Sequence, residues 1–365
     1  MIHDKTLRLR WVLWRNRLLA SQRFQRLAAR MPLLSPVARR RARALFDLVA
    51  GFTYSQVLAA CVESGLLTAL AEAPLSLSEA AGRTHLPEAG ALRLLRAAAA
   101  LDLVEPVGDG WTLGQAGAAL TGNPGIAEMV AHHRLLYSDL ADPLGLLRRG
   151  GGGGELQRFW RYAGAPGQGD PEAVAAYSRL MAASQPLVAK QVLDSYRFAR
   201  HRRVLDVGGG EGAFLAALGA RVPTIERGLF DLPAVVARAG ERLGGGVQLH
   251  GGSFLADPLP QGFDLVTLVR VLHDHDNVPA QALLARIAES LTPGGRLLIA
   301  EPMAGVRGAE AMGDAYFGLY LLAMGSGRPR PVAEITAMLH RAGFSRVRRI
   351  ATSMPLTVSI VVANK

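Results

Sequence analysis

Seven strand-length runs follow residue 200: Arg203–Val207, Gly228–Asp231, Val247–Gly251, Phe263–Val269, Gly295–Ala300, Arg346–Ala351 and Leu356–Ala363. Helical patterns separate the first five, and only the last two lie close enough in sequence to form a hairpin. Parallel neighbours need a crossover of a dozen or more residues, usually a helix, whereas antiparallel neighbours can be joined by a turn. The alternation predicts an α/β fold, a Rossmann-like doubly wound seven-stranded sheet with a C-terminal antiparallel hairpin. Ligands of such a sheet bind beyond the carboxyl ends of its strands.

The residues at those ends are polar in order. The first run ends at Asp206, and Gly208-Gly209-Gly210-Glu211-Gly212 precedes a helical pattern that begins at Ala213. Its G-x-G-x-G spacing differs from the G-x-G-x-x-G of dinucleotide folds, and no G-K-[ST] follows to hold a triphosphate. Taken alone, the loop fits a tight strand-to-helix turn as readily as a ligand cradle. Asp231, twenty-three residues past Gly208, ends the second run, where an acid can accept hydrogen bonds from ribose hydroxyls. Gly252-Ser253-Phe254 follow the third run and can border an adenine ring; Arg270 to Asp276, with His273 among them, follow the fourth; Glu301 ends the fifth. A nucleoside without phosphates fits this set. S-adenosylmethionine is the obvious one, and methyl transfer needs mainly an aligned nucleophile and a base.

Ahead of the sheet, 365 residues leave room for a second domain. Apolar residues dominate Leu45–Ala73 at helical spacing. Ser76 or Ser78 can cap a short helix over Glu79–Arg83, and Pro87 can open one over Glu88–Leu101. Two short strands, Leu103–Pro106 and Trp111–Leu113, flank Gly108-Asp109-Gly110. This is a winged-helix pattern. Its second helix offers only Arg93 and Arg96 as cations, so dimerisation or scaffolding is the expectation and no nucleic acid is expected. Asn123–Leu147 reads as helical and carries His132, His133 and Tyr137. That histidine pair fits a substrate pocket or a satisfied interior pair, but adjacent positions are not metal spacing. Gly150–Gly154 predicts a flexible surface loop. On a long helix over Pro171–Phe198, Tyr177, Met181 and Ser184 share a face near the mouth of the glycine loop.

The net charge of +11 resides wholly in residues 1–43, which hold twelve Lys and Arg against Asp4; the other 322 residues hold 29 of each sign. Leu7, Trp11, Trp14 and Leu18 share one helical face among Arg8, Arg10, Arg15, Arg17, Arg23, Arg26 and Arg30, and Pro32 and Pro36 predict a break after it. A basic helix edged with tryptophan suits an anionic membrane, where each cation contributes ~1 kcal/mol. A helix packed on the body and a nucleic-acid tail are the competing readings. Cys61, the single cysteine, falls in an apolar helical pattern and reads as core. Without an eighteen-residue apolar run or a signal-peptide pattern, the expectation is a cytoplasmic protein, peripheral at the inner (photosynthetic) membrane.

Four stretches carry a resemblance: Asp206-Val207-Gly208-Gly209-Gly210-Glu211-Gly212, Asp231-Leu232-Pro233, His273-Asp274 and Pro293-Gly294-Gly295-Arg296-Leu297. With the winged-helix region, the chain resembles the class I S-adenosylmethionine-dependent O-methyltransferases, in the small-molecule (plant caffeate-like) subfamily. Gly51–Leu58, Gly122–Ile126 and His132–Tyr137 look more narrowly like the demethylspheroidene-type O-methyltransferases of carotenoid synthesis. The resemblance implies a homodimer, S-adenosylmethionine as cofactor, a hydroxylated carotenoid as substrate, His273 as general base and Glu301 as its flanking acid. It implies a cofactor site of Asp206, Gly208, Gly209, Gly210, Gly212, Asp231, Leu232, Ser253, Phe254 and Arg270, and a substrate pocket of His132, His133, Tyr137, Tyr177 and Met181, with no metal. The domains expected are an arm (1–43), a winged-helix dimerisation and substrate-lid domain (44–165), a connecting helix (166–199) and the cofactor domain (200–365). Two departures stand out: a second flanking acid is absent near Pro329, and Gly252 replaces the acid on the adenine side. Methylation of another pigment or phenol, at oxygen or carbon, is the alternative reading, and a winged-helix regulator that senses the cofactor is a further one.

Overall fold

The computed structural model describes residues 2–164 and 171–365. The chain divides into two compact units, one up to Ala119 and one from Leu120 onward.

The first unit opens with helices Ile2–Ala20 and Gln22–Arg30, followed by the 29-residue helix Ser35–Glu63. Ser21 separates the first two by capping the second, its hydroxyl accepting the Phe24 N–H at 3.4 Å. Pro32 lies between helices as predicted, but Pro36 breaks nothing. It sits in the first turn of the long helix, where its missing N–H costs no hydrogen bond. The arm helix is apolar on two faces rather than one. Leu7, Trp11 and Trp14 are exposed on the first; Leu9 and Leu13, also exposed, lie roughly 200–240° round from Leu7. The long helix exposes Leu45, Phe46, Leu48, Val49 and Phe52, each by more than 60%. By length and composition alone it is also sufficient to cross a membrane.

A winged-helix arrangement completes this unit. Ser76 and Glu79 form a reciprocal capping box at helix Leu77–Thr84, and helix Glu88–Ala100 follows. Strands β1 (Val104–Val107) and β2 (Gly110–Leu113) pair antiparallel across the predicted turn, and Leu75 and Trp111 exchange both backbone hydrogen bonds alongside them. Cys61 is buried, and burial pushes its thiol up to about 12, so it is core and not a nucleophile.

The second unit is built on seven strands: β3 (Arg203–Val207), β4 (Glu226–Asp231), β5 (Val247–Gly251), β6 (Phe263–Val269), β7 (Leu291–Glu301), β8 (Ser345–Ile350) and β9 (Ser359–Asn364). Their order is β5-β4-β3-β6-β7-β9-β8, parallel through β7 and antiparallel for the last two pairs. The chain builds outward from β3 through β5, then restarts at β6 on the other side of β3. That reversal opens the crevice in which doubly wound sheets bind ligands. Both faces are covered, so residues alternate between two cores. Leu297 and Ile299 face one, with Leu283 and Ile335; Leu298 and Ala300 face the other, with Val192 and Leu218.

Three local expectations shift. β9 starts at Ser359 rather than Leu356, because the Thr357 N–H closes a turn on the Met354 carbonyl at 2.9 Å. The helical stretch after Asn123 is two helices, Pro124–Asp139 and Pro143–Arg148, with the Asp142 carboxylate capping the second by accepting the Gly145 N–H at 2.9 Å. The Gly150–Gly154 loop is fastened rather than free. Gly150 to Gly153 all take positive φ, the Gly152 N–H donates to the Leu322 carbonyl at 2.9 Å, and Arg149 donates back to the Gly152 carbonyl at 2.8 Å. Only glycine makes four such consecutive residues inexpensive. What looks like a spacer in composition is a structural turn.

Candidate active site

A cavity of about 400 Å³ opens at the carboxyl ends of β3, β4 and β6. Gly208, Gly210 and Gly212 all have positive φ there, and a Cβ on Gly209 would collide with the Asp206 carboxylate and Leu229. The loop is thus a bare backbone surface that side chains would fill. Asp231 ties it to β4: one carboxylate oxygen accepts the Gly210 N–H at 2.8 Å, the other the Leu232 N–H at 2.7 Å. Burial raises the pKa of Asp231, opposed by those two N–H donors. Asp206 lies under the loop and not on the cavity wall. It accepts the Thr267 hydroxyl at 2.6 Å, its other oxygen has no partner, and burial pushes its pKa up to about 7.

Leu232, Ser253 and Phe254 line the next part of the wall. A Cβ on Gly252 would stand 2.9 Å from the Phe230 ring. Arg238 and Arg242 also reach the wall, but Glu211 engages both, at 3.6 and 2.6 Å. The wall offers no free lysine for a phosphate chain. Its carboxylates suit a cationic nucleoside.

At the far end, Arg270 follows β6 with φ +59°, a strained position for a side chain with a Cβ. It is held by its N–H to the Ala300 carbonyl at 2.8 Å and by its guanidinium to the Ser184 hydroxyl at 3.2 Å. Beside Ser184, Gln185 lines the cavity with its carbonyl oxygen buried and unpartnered. His273 is buried on this wall. Its backbone N–H donates to a Glu301 oxygen at 3.0 Å, the ring Nε2 lies 3.2 Å from the Asp274 carboxylate, and Nδ1 has no partner. Burial first, and then Arg270, His275 and Arg330, lower its pKa to about 3, so the imidazole is neutral across physiological pH. Glu301 is fully buried, with one oxygen unpartnered and its pKa pushed up to about 8.

The loop that carries His273 is gripped by Arg330, a residue that the sequence reading passed over while noting the missing acid beside it. Arg330 is fully buried and donates to the carbonyls of Leu272 (3.0 Å) and His275 (2.6 Å) and to the Asn277 side chain (3.1 Å). Next to it, the Arg328 N–H donates to the His273 carbonyl at 2.8 Å. Sequence reasoning also missed the opposite wall. The π-helical turn Ala311–Phe317 and the helix Gly318–Met324 that continues it present Phe317, Tyr320, Leu321 and Met324 to the cavity, and the Phe317 ring is 5.7 Å from that of His273. Their i, i+3, i+4, i+7 spacing was the available signal.

The expected substrate-pocket residues are distributed unevenly. His132 and His133 are not on the cavity wall; their Nε2 atoms lie 2.7 Å from the hydroxyls of Tyr320 and Tyr316. Tyr137 packs edge-on against His133 at 6.3 Å. The side chains of Tyr177 and Met181, on helix Pro171–Ser195, lie outside the described residues.

Residues 137–345 match the model of the O-methyltransferase domain, and residues 46–122 that of the O-methyltransferase dimerisation domain, which takes in the exposed face of helix Ser35–Glu63 and supports a homodimer. The chain is 45% identical to demethylspheroidene O-methyltransferase of Cereibacter sphaeroides over 95% of its length and 93% of the relative's. It is 44% identical to the Rhodobacter capsulatus protein of the same name, covering 96% and 89%. The crystal structure of human N-acetylserotonin methyltransferase in complex with SAM superposes with a TM-score of 0.74 at 25% identity, over 89% of this chain and 97% of that one. The chain belongs to the O-methyltransferase family.

Proposed function

We propose that the enzyme transfers a methyl group from S-adenosylmethionine to the hydroxyl of a carotenoid, a demethylspheroidene-like 1-hydroxycarotenoid. The observation that carries this reading is the pairing of two unlike walls in one cavity: a glycine and carboxylate cradle at one end, and an aromatic and aliphatic wall beside His273 at the other. The names of the relatives at 44–45% identity agree with it.

When bound, S-adenosylmethionine supplies a methyl group on a cationic sulfonium. Asp231, Leu232, Ser253, Phe254 and the backbone of Gly208–Gly212 would hold its nucleoside, with Asp206 supporting the loop from below and Arg270 and Gln185 at the other end. His273 accepts the hydroxyl proton. A tertiary alcohol is about as acidic as water, so removing its proton first with a base of pKa about 3 would cost ~17 kcal/mol. That is about the whole barrier of an enzyme turning over ten times a second. The proton must therefore move as the oxygen forms its new bond or afterwards, when the oxygen has become strongly acidic and even a weak base suffices. Glu301, through the His273 backbone, and Asp274, beside Nε2, orient the ring. Incubation with methyl-labelled S-adenosylmethionine tests the reading: label is expected in a hydroxycarotenoid, and label appearing only in small phenols would overturn it.

The arm extends the proposal. A polyene dissolves in the bilayer, and the twelve basic residues of 1–43 with Trp11 and Trp14 exposed would hold the enzyme at an anionic membrane. Deleting residues 1–43 is expected to reduce co-sedimentation with vesicles containing anionic lipid at least tenfold while leaving weak binding to neutral vesicles unchanged. Equal binding with and without the arm would contradict it.

A further inference from the structure

On the aromatic wall opposite Arg270, the polar handles of Trp160 and Tyr320 are turned to each other and to His132. The Trp160 indole N–H donates to the Tyr320 hydroxyl at 3.3 Å, and that hydroxyl lies 2.7 Å from Nε2 of His132. A tyrosine hydroxyl has one proton to give. In the His132 tautomer that carries its proton on Nδ1, Nε2 accepts the hydroxyl proton while the indole occupies an acceptor position on the same oxygen. Burial lowers the pKa of His132 to about 4 and raises that of Tyr320, so both groups are neutral and the pair carries no charge. Tyr316, stacked behind Tyr320 with ring centres 5.8 Å apart, is off the cavity wall; its hydroxyl lies 2.7 Å from Nε2 of His133 and 3.5 Å from the Met129 sulfur.

We propose that His132 determines substrate specificity without touching the substrate: it draws the Tyr320 hydroxyl toward helix Pro124–Asp139 and leaves that side of the cavity a wall of aromatic faces and aliphatic side chains, while His133 holds Tyr316 behind it. Such a wall accepts a long apolar chain that has no hydrogen bond to offer. It rejects a polar phenol, whose extra hydroxyls would be buried without partners. The inference rests on the proposed function for the identity of the substrate, and it names the residues that select it. It also accounts for two neighbouring histidines on one helix, since each faces its own tyrosine.

The test is a double-mutant cycle on the full chain, read by quenching of tryptophan fluorescence on titration with a hydroxylated polyene, and separately by turnover. His132→Leu strands the Tyr320 hydroxyl at the wall and is expected to weaken polyene binding about tenfold. Adding Tyr320→Phe removes the stranded hydroxyl and is expected to recover most of that loss. A purely structural role for His132 predicts the opposite, a double variant weaker than His132→Leu alone. Unchanged S-adenosylmethionine binding reports that each variant is folded; should His132→Leu fail that control, His132→Asn, which keeps an acceptor, is expected to fold and bind the polyene within threefold of wild type, and a tenfold loss there would overturn the inference. A wild-type enzyme that binds the polyene but does not methylate it refutes the proposed reaction and leaves this inference standing. A wild-type enzyme that binds no polyene refutes the inference itself.

Discussion

Replacing His273 with alanine is expected to lower kcat by about 100- to 10,000-fold, the usual contribution of a positioned general base, while S-adenosylmethionine binds within threefold of its wild-type affinity. The asymmetry follows from the arrangement of the site. His273 stands at the junction of the two walls, whereas the donor's nucleoside would rest on the glycine loop, Asp231 and the Ser253 segment. Its pH dependence has a definite sign. The active form is the neutral imidazole, and burial depresses its pKa from 6.5 to about 3. The base therefore stays competent as pH falls through 6.5, and only near its folded pKa does protonation remove it. An acidic limb in kcat near pH 6.5 that vanished in His273→Ala would contradict the burial described here, and equal losses of kcat and donor binding in a folded variant would remove the base assignment.

Arg330→Leu carries the second large effect. Losing a fully buried guanidinium leaves the His275 carbonyl without its side-chain donor, takes one donor each from the Leu272 carbonyl and the Asn277 side chain, and removes a cation that opposes the upward shift of the Glu301 pKa. Breaking a buried arrangement of this kind costs about 3–5 kcal/mol. Denaturant unfolding should show it as a lower midpoint. The folded fraction should also turn over more slowly, because the Leu272–Asn277 segment carries His273. Arg330→Lys retains the charge but not the fork that reaches three acceptors, so an intermediate loss is expected. A stable, fully active leucine variant would show that the loop holds His273 without help.

Much of this architecture was legible in the residues. Short continuous apolar runs separated by helical patterns point to a parallel sheet, and the polar residues Asp231, His273 and Glu301 stand at or just beyond strand ends because the interior of a doubly covered sheet excludes them. The glycine loop could be located but not interpreted alone; the absence of a phosphate-binding lysine and the acid at Asp231 narrowed it. Arg330 was illegible for a different reason. Arginine in a Gly-Arg-Pro-Arg-Pro stretch reads as exposed, and only the fold shows that the segment wraps around the His273 loop and buries the side chain. Gly150–Gly154 failed in the same direction, since composition reports the freedom of a chain and not the contacts that remove it. The Phe317–Met324 stripe was readable in principle, but a helix lining a cavity has the same spacing as one lining a core.

The central claim is that this cavity joins a phosphate-free methyl donor to an apolar alcohol. The most direct measurement is mass and NMR analysis of the product formed from S-adenosylmethionine bearing a labelled methyl and a 1-hydroxycarotenoid presented in vesicles. The account predicts a product heavier by one labelled methyl, carried on oxygen, and none with His273→Ala. A methyl on carbon, or no transfer to the carotenoid while a polar phenol is methylated efficiently, would contradict it.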